Sequence, residues 1–328
     1  MRALRVTVLC AVLVMLGGVA HAQPSADQVL SDMGFSADAK ERVLNGEFVT
    51  TDVPSVSDRD LSIAIAFLVQ TKPDALSQQV MSGLVTSADA QVRASGKLAG
   101  AGSLADLAGL KITSAVAQTL ANAQAGATFN LSPDEIAAFG AVPGGTQPAI
   151  LGQLRQMLLA RFRAYSASGL AGIAPYDRGG GSSADVAGDL RKASTAAAVL
   201  QKYMPAFQQV LTGYPQATVP GMRQSFRWVS YDIDGTATFV LTHTLAAGEG
   251  AARAVVQRQY YVSTGYNAEQ AVAGFVPVQQ GTLVVYTNHT FTDQVAGFGG
   301  SMKRGIGRRM MASKLEQVFD AARNKVAP

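Results

Sequence analysis

The sequence predicts an α+β protein: an antiparallel β-meander closed by a long C-terminal helix, with a large helical N-terminal and central portion. Three observations carry this. Between 223 and 297, apolar and polar residues alternate with period two around tight-turn signals, which is strand patterning. From 132 to 213, apolar residues recur three and four apart, which is helix patterning. After the glycines at 297, 299 and 300, a final helix is expected from about Ser301 to Lys325. The chain divides accordingly into 1–22, a signal peptide; 23–215, mainly helical with a short N-terminal strand pair; and 216–328, sheet plus C-terminal helix.

Taken in order, Arg2 and Arg5 precede an apolar stretch from Val6 to Leu16, and Ala20-His21-Ala22 supplies the small-x-small pattern of a signal-peptidase site. Cleavage near Ala22 and export to the periplasm are expected. The apolar stretch is too short for a stable membrane anchor. Lipoprotein processing at Cys10 needs a small residue before the cysteine, and Leu9 stands there. Residues 25 to 46 read as a short helix and turn, ended by Asn45-Gly46. Glu47 to Val53 and Asp60 to Gln70 read as strands that could pair across Pro54 to Asp58, and Pro73 opens a helix over Asp74 to Met81. Residues 83 to 128 are rich in Ala, Gly, Ser and Thr and fit either a loosely packed helical region or a mobile linker. Ser132-Pro133-Asp134-Glu135 is a helix start, and Ala149 to Ser168 is the clearest helix. Gly169 to Ser183 breaks it, and Val186 to Leu211 is a further helix with a kink near Pro205. Strands follow over 226–231, 238–245, 254–262 and 282–291, with a fifth near Phe275 to Val278. Asp234-Gly235 makes the first turn.

Composition narrows the chemistry. Cys10 is the chain's one cysteine and leaves with the signal peptide, which removes disulfides, thiol catalysis and cysteine metal sites from the mature protein. His243 and His289 stand alone on strands, without HxH or HExxH spacing, and are expected to be hydrogen-bonded structural residues; no metal or cofactor is expected. No GxSxG elbow, Walker or Rossmann pattern occurs, so no catalytic residue is assigned. Tyr176-Asp177-Arg178 reads as a structural loop, with Arg178 reaching Asp177 or an anionic ligand. The net charge of +4 is concentrated at the end: residues 301–328 carry Lys303, Arg304, Arg308, Arg309, Lys314, Arg323 and Lys325 against Glu316 and Asp320. A local charge of this kind does not point to nucleic acid. Within the terminal helix, Met302, Ile306, Met310 and Met311 form an apolar stripe. Lys303, Arg304, Arg308 and Arg309 form a basic face, either solvated or a site for anionic lipid headgroups or another acidic partner, with phosphate binding at the glycine-rich helix start as a third reading. Gly305 and Gly307 inside that helix suggest close approach of another group.

The runs RQYYVSTGYN (258–267), GTLVVYTNHTFTDQVAGFGGSMKRGIGRRMM (281–311), GLAGIAPYDRGGG (169–181) and GEFVTTDVPSVSDRDLSIAIAFLV (46–69) resemble a group of exported proteobacterial proteins. The resemblance implies export. The order of strand pair, short helix, meander and long final helix is similar to the START-like helix-grip fold. That likeness implies a curved sheet wrapped on the last helix with an apolar cavity between them, the helices of 83–213 being an insertion. On this basis the expected function is non-enzymatic binding of a hydrophobic small molecule or lipid, with Phe239, Leu241, Tyr260 and Met302 lining the cavity. A second reading is an envelope scaffold docking through the basic helix, including onto an anionic membrane surface; a hydrolase of unspecified class is third. An apolar cavity of several hundred cubic ångströms between sheet and helix would favour the first.

Overall fold

The computed structural model describes residues 25–233, 235–297 and 299–326. The expected signal peptide and Asp234 lie outside them. In chain order the elements are α1 (Ala26–Asp32), α2 (Ala37–Leu44), β1 (Val49–Thr51), β2 (Asp60–Val69), α3 (Pro73–Ser82), α4 (Leu84–Ala88) and β3 (Val92–Leu98). Then come α5 (Ser114–Ala121), α6 (Pro133–Gly140), α7 (Gln147–Ser168), β4 (Tyr176–Gly179), β5 (Ser182–Ala184), α8 (Val186–Thr195), α9 (Ala198–Tyr203) and α10 (Pro205–Gly213). The chain continues through β6 (Arg223–Ile233), β7 (Thr236–Glu249), β8 (Ala252–Val262), β9 (Ala268–Val278) and β10 (Gly281–Phe291), and ends in α11 (Gly300–Lys325).

The protein is α+β, built on one eight-stranded antiparallel sheet in the order β1-β2-β10-β9-β8-β7-β6-β3. The meander β6 to β10 is its centre. The N-terminal pair β1-β2 extends it beside β10, and β3 caps the far edge beside β6. The sheet therefore draws strands from both sides of residue 215. A single small hairpin, β4-β5, stands apart from it.

Local sequence explains the ends of the helices. Ser25, Ser36, Thr113, Ser132 and Asp185 each accept a bond from the first turn of the helix they precede, satisfying backbone donors that would otherwise lack partners. At Ser132 the cap is reciprocal, because Glu135 reaches back to the Ser132 amide. The predicted kinked helix over 186–211 is three helices. Pro205 starts the last of them, where its missing N–H costs nothing.

Residues 83–128 are neither uniformly helical nor a linker. They contain α4, β3 and α5, and Leu107, Leu110 and Leu120 are buried. The small residues have a specific use in β3. A Cβ on Gly96 would stand 2.4 Å from the Trp228 indole nitrogen. That indole lies across β3 and donates to the Asp106 carbonyl at 2.7 Å.

The two faces of the sheet are covered differently. One face is a tightly filled core. Trp228, Phe239, Leu241, Leu245, Val256, Tyr260 and Tyr261 meet Leu154, Leu158, Phe162 and Tyr165 of α7 and residues of α8 and α10. A bulge in β8 puts the adjacent Tyr260 and Tyr261 on that same face, since Leu241 pairs with Tyr261 and Thr242 with Gln259. α1 and α2 extend the layer over Ala64, Ala66 and Val285. The opposite face carries Ile65, Phe67, Val255, Phe275, Val284 and Tyr286 under α3 and the second half of α11.

Candidate functional site: a cavity beneath the terminal helix

Between this second face and α3, α4 and α11 lies a cavity of about 330 Å³. Strand register shows why it is hollow and how its polarity is graded. Across β8, β9 and β10, the neighbours Gln259, Glu269 and Thr290 form one rung, and Gln257, Ala271 and Asn288 the next on the same face. Val255, Ala273 and Tyr286 follow, and Phe275 and Val284 lie beyond with Phe67 of β2. The floor thus passes from polar to apolar along the strands. Ala271 and Ala273, at the middle of β9, leave space that larger side chains would fill. The lid is apolar over the far end, where Leu315, Val318, Phe319 and Ala322 of α11 face the floor. Phe319 stacks on Phe67 at 5.3 Å and meets Tyr286 edge-on at 4.8 Å.

Hydrogen-bonding groups gather at the other end. The Glu269 carboxylate accepts from Gln259 Nε2 at 3.0 Å and from Thr290 Oγ1 at 3.4 Å. Tyr266 Oη donates to Gln259 Oε1, and Asn288 Nδ2 donates to Tyr286 Oη at 3.0 Å. Tyr231, Gln91 and Gln257 line the same region. Lys314 of α11 is paired with Asp89 at 2.7 Å. Burial raises the Glu269 carboxyl to about 7, against the opposing effect of hydrogen bonds from Asn288, Thr290 and Gln259. Burial also raises the phenols of Tyr231, Tyr266 and Tyr286, so all three are uncharged at neutral pH.

The residues expected to line the cavity lie elsewhere. Phe239, Leu241 and Tyr260 are buried on the opposite face, because the final helix covers the face to which Val240, Thr242 and Gln259 belong. Met302 is 74% exposed in the first turn of α11. Of the expected stripe only Met311 reaches the cavity, while Ile306 and Met310 are exposed. The basic residues separate into two pairs. Arg304 donates to the Asp58 carbonyl at 2.9 Å. Arg308 donates to Ser55 Oγ at 3.2 Å and lies 3.6 Å from Asp52, so both tie the helix to the loop between β1 and β2. Lys303 and Arg309 are exposed. Gly307 does mark a close approach, since a Cβ there would stand 3.0 Å from Leu61, whereas Gly305 faces open space.

Both histidines sit on the packed face. His243 lies between Tyr165 Oη at 3.1 Å and Gln224 Oε1 at 3.0 Å. Burial and the nearby Arg258 push its pKa well below the usual value. His289 Nδ1 contacts Asp60 Oδ2 at 2.9 Å. Arg178 pairs with Asp293 at 2.9 Å and donates to Asn267 at 2.8 Å, and does not pair with Asp177. The polar end of the cavity was missed in the sequence. Its signal was the run Glu269-x-Ala271-x-Ala273-x-Phe275, an alternating face too small and too polar for a packed core. Comparison with models of known protein families, with curated proteins and with solved structures gave no match.

Proposed function

We propose that this is an exported, periplasmic protein that binds a hydrophobic or amphipathic small molecule, a lipid among them, without catalysing a reaction. The observation that carries the reading is the hollow between β9 and α11. It is apolar at one end and hydrogen-bonding at the other, and its volume falls within the range of small-molecule sites. An apolar guest would regain the contacts that Ala271 and Ala273 leave unmade. The test is native mass spectrometry of protein recovered from the periplasm, with organic extraction of any bound molecule. An extractable small molecule at near one per chain is the expected result. A ligand-free mass, together with failure of the uncharged dye N-phenyl-1-naphthylamine to bind, would overturn the proposal.

A second reading concerns the outer face of α11. Met302, Ile306 and Met310 are four apart and 74%, 51% and 68% exposed, and Lys303 and Arg309 lie beside them. An exposed apolar stripe with flanking cations fits an anionic membrane surface. It would bring the cavity to a source of lipid, since the same helix forms the cavity's lid.

A further inference from the structure

The polar end of the cavity holds a carboxyl without a cationic partner. Asp89, at the end of α4, is matched by Lys314 of α11 at 2.7 Å. Arg323, on α11 nearer the apolar end, is matched by Asp320 at 2.8 Å and lies over the Phe48 ring. Glu269 has no such partner. Among the described residues no Lys, Arg or His pairs with it, and its oxygens take bonds from the neutral Gln259 and Thr290. The groups facing it from β6, β8 and β10 are Tyr231, Gln257, Gln259, Asn288 and Thr290, with Tyr266 from the β8–β9 turn. None of these carries a positive charge. A half-buried carboxylate without a cation is costly to charge, and a guest that supplies the cation lowers that cost.

We propose that the cavity takes an amphiphile with a cationic amine head, its ammonium paired with Glu269 and its apolar body lying over Ala271 and Ala273 towards Phe67, Phe275 and Phe319. This rests on the ligand-binding reading and names the chemical class of the guest. Geometry supports the orientation, because the rung containing Glu269 is the polar one, the rungs of Ala271 and Ala273 are successively more apolar, and in the Phe275 rung the one charged member, Arg253, is paired with Asp74 of α3. The same arrangement disfavours a carboxylate or phosphate head. Such a head would place a second negative charge beside Glu269, and Lys314 is already committed to Asp89.

Three probes of equal chain length separate the terms: decylamine, decanol and decanoate, each used below its micelle-forming concentration. Displacement of N-phenyl-1-naphthylamine from the parent protein and from E269Q gives the affinities. On the parent, decylamine is expected to bind at least tenfold tighter than decanol, with decanoate weakest. In E269Q decylamine should fall to the level of decanol measured on the same variant. The ranking on the parent requires no variant. Equal affinity for the three heads, or an amine preference that persists in E269Q, would overturn this inference and leave the cavity reading standing. Failure of all three to displace the dye would overturn both.

Discussion

Replacing Ala273 with leucine should stabilise the protein and block its cavity, two effects that a damaged fold cannot produce together. Ala273 sits between Val255 and Tyr286 in the sheet and lines the cavity floor. Leucine adds three carbons on the side facing a space of about 330 Å³, which is expected to take them up. At roughly 0.8 kcal/mol per buried carbon the gain is about 2.4 kcal/mol. Fixing the new rotamers removes about 0.5–1 kcal/mol of it. The net of about 1.5 kcal/mol corresponds to a rise in Tm of roughly 3 °C for a chain of this size. The guest must then compete with the leucine for the same contacts, and dye or decanol affinity should fall at least tenfold. Calorimetry and dye titration on one preparation measure both. Destabilisation by more than about 1 kcal/mol would mean the floor is already packed. Unchanged affinity would mean the guest binds elsewhere. Either result refutes the argument from register.

Because Glu269 titrates near 7 in the folded protein and lower when unfolded, the folded state holds the extra proton between these values. The parent's stability relative to E269Q should therefore fall as pH rises from about 4.5 to about 7, by at most about 3 kcal/mol, and level off above; urea unfolding across that range checks it, and a flat difference would contradict the burial argument. Gly305→Ala should gain about 0.5–1 kcal/mol from helix propensity. Gly307→Ala should gain less, since Leu61 must give way, and equal Tm shifts for the two would show that the approach at Leu61 is not tight. Arg304→Gln with Arg308→Gln should cost about 1 kcal/mol by releasing α11 from the 52–59 loop, whereas Lys303→Gln with Arg309→Gln should leave Tm unchanged and weaken cosedimentation with anionic vesicles at low salt; the reverse pattern would place the membrane-facing charges in the wrong pair.

Much of the fold was legible because its signals are local. Alternation marked β2 and the meander, Ser132-Pro133 marked α6, and the spacing of Leu154, Met157, Leu158, Phe162 and Tyr165 marked α7. β3 was not legible. Its sequence Val-Arg-Ala-Ser-Gly-Lys-Leu has small residues because Trp228 lies on it, a fact that belongs to β6. The site failed for a related reason. Period two separates a strand's faces but does not say which one the last helix covers. On β7 the more apolar set, Phe239, Leu241 and Leu245, belongs to the packed core and not to the cavity.

That mismatch follows from what a core and a binding cavity each require. The packed face holds the large residues and even encloses a charge. Arg258 is 1% exposed and donates to Gln270, Tyr165, Ser194 and the Leu211 carbonyl, with no carboxylate among these partners. So many bonds from four elements fix the core in one arrangement, because breaking any leaves a buried donor unmet. The other face has small residues where a core would have large ones, and a carboxyl held by Gln259 and Thr290 alone where Arg258 is held from four elements. The first face is packed, whereas the second leaves a cavity beneath α11. The patterning most apolar in sequence therefore marks the scaffold. The cavity lies on the strand faces where alanine and a lone glutamate interrupt it.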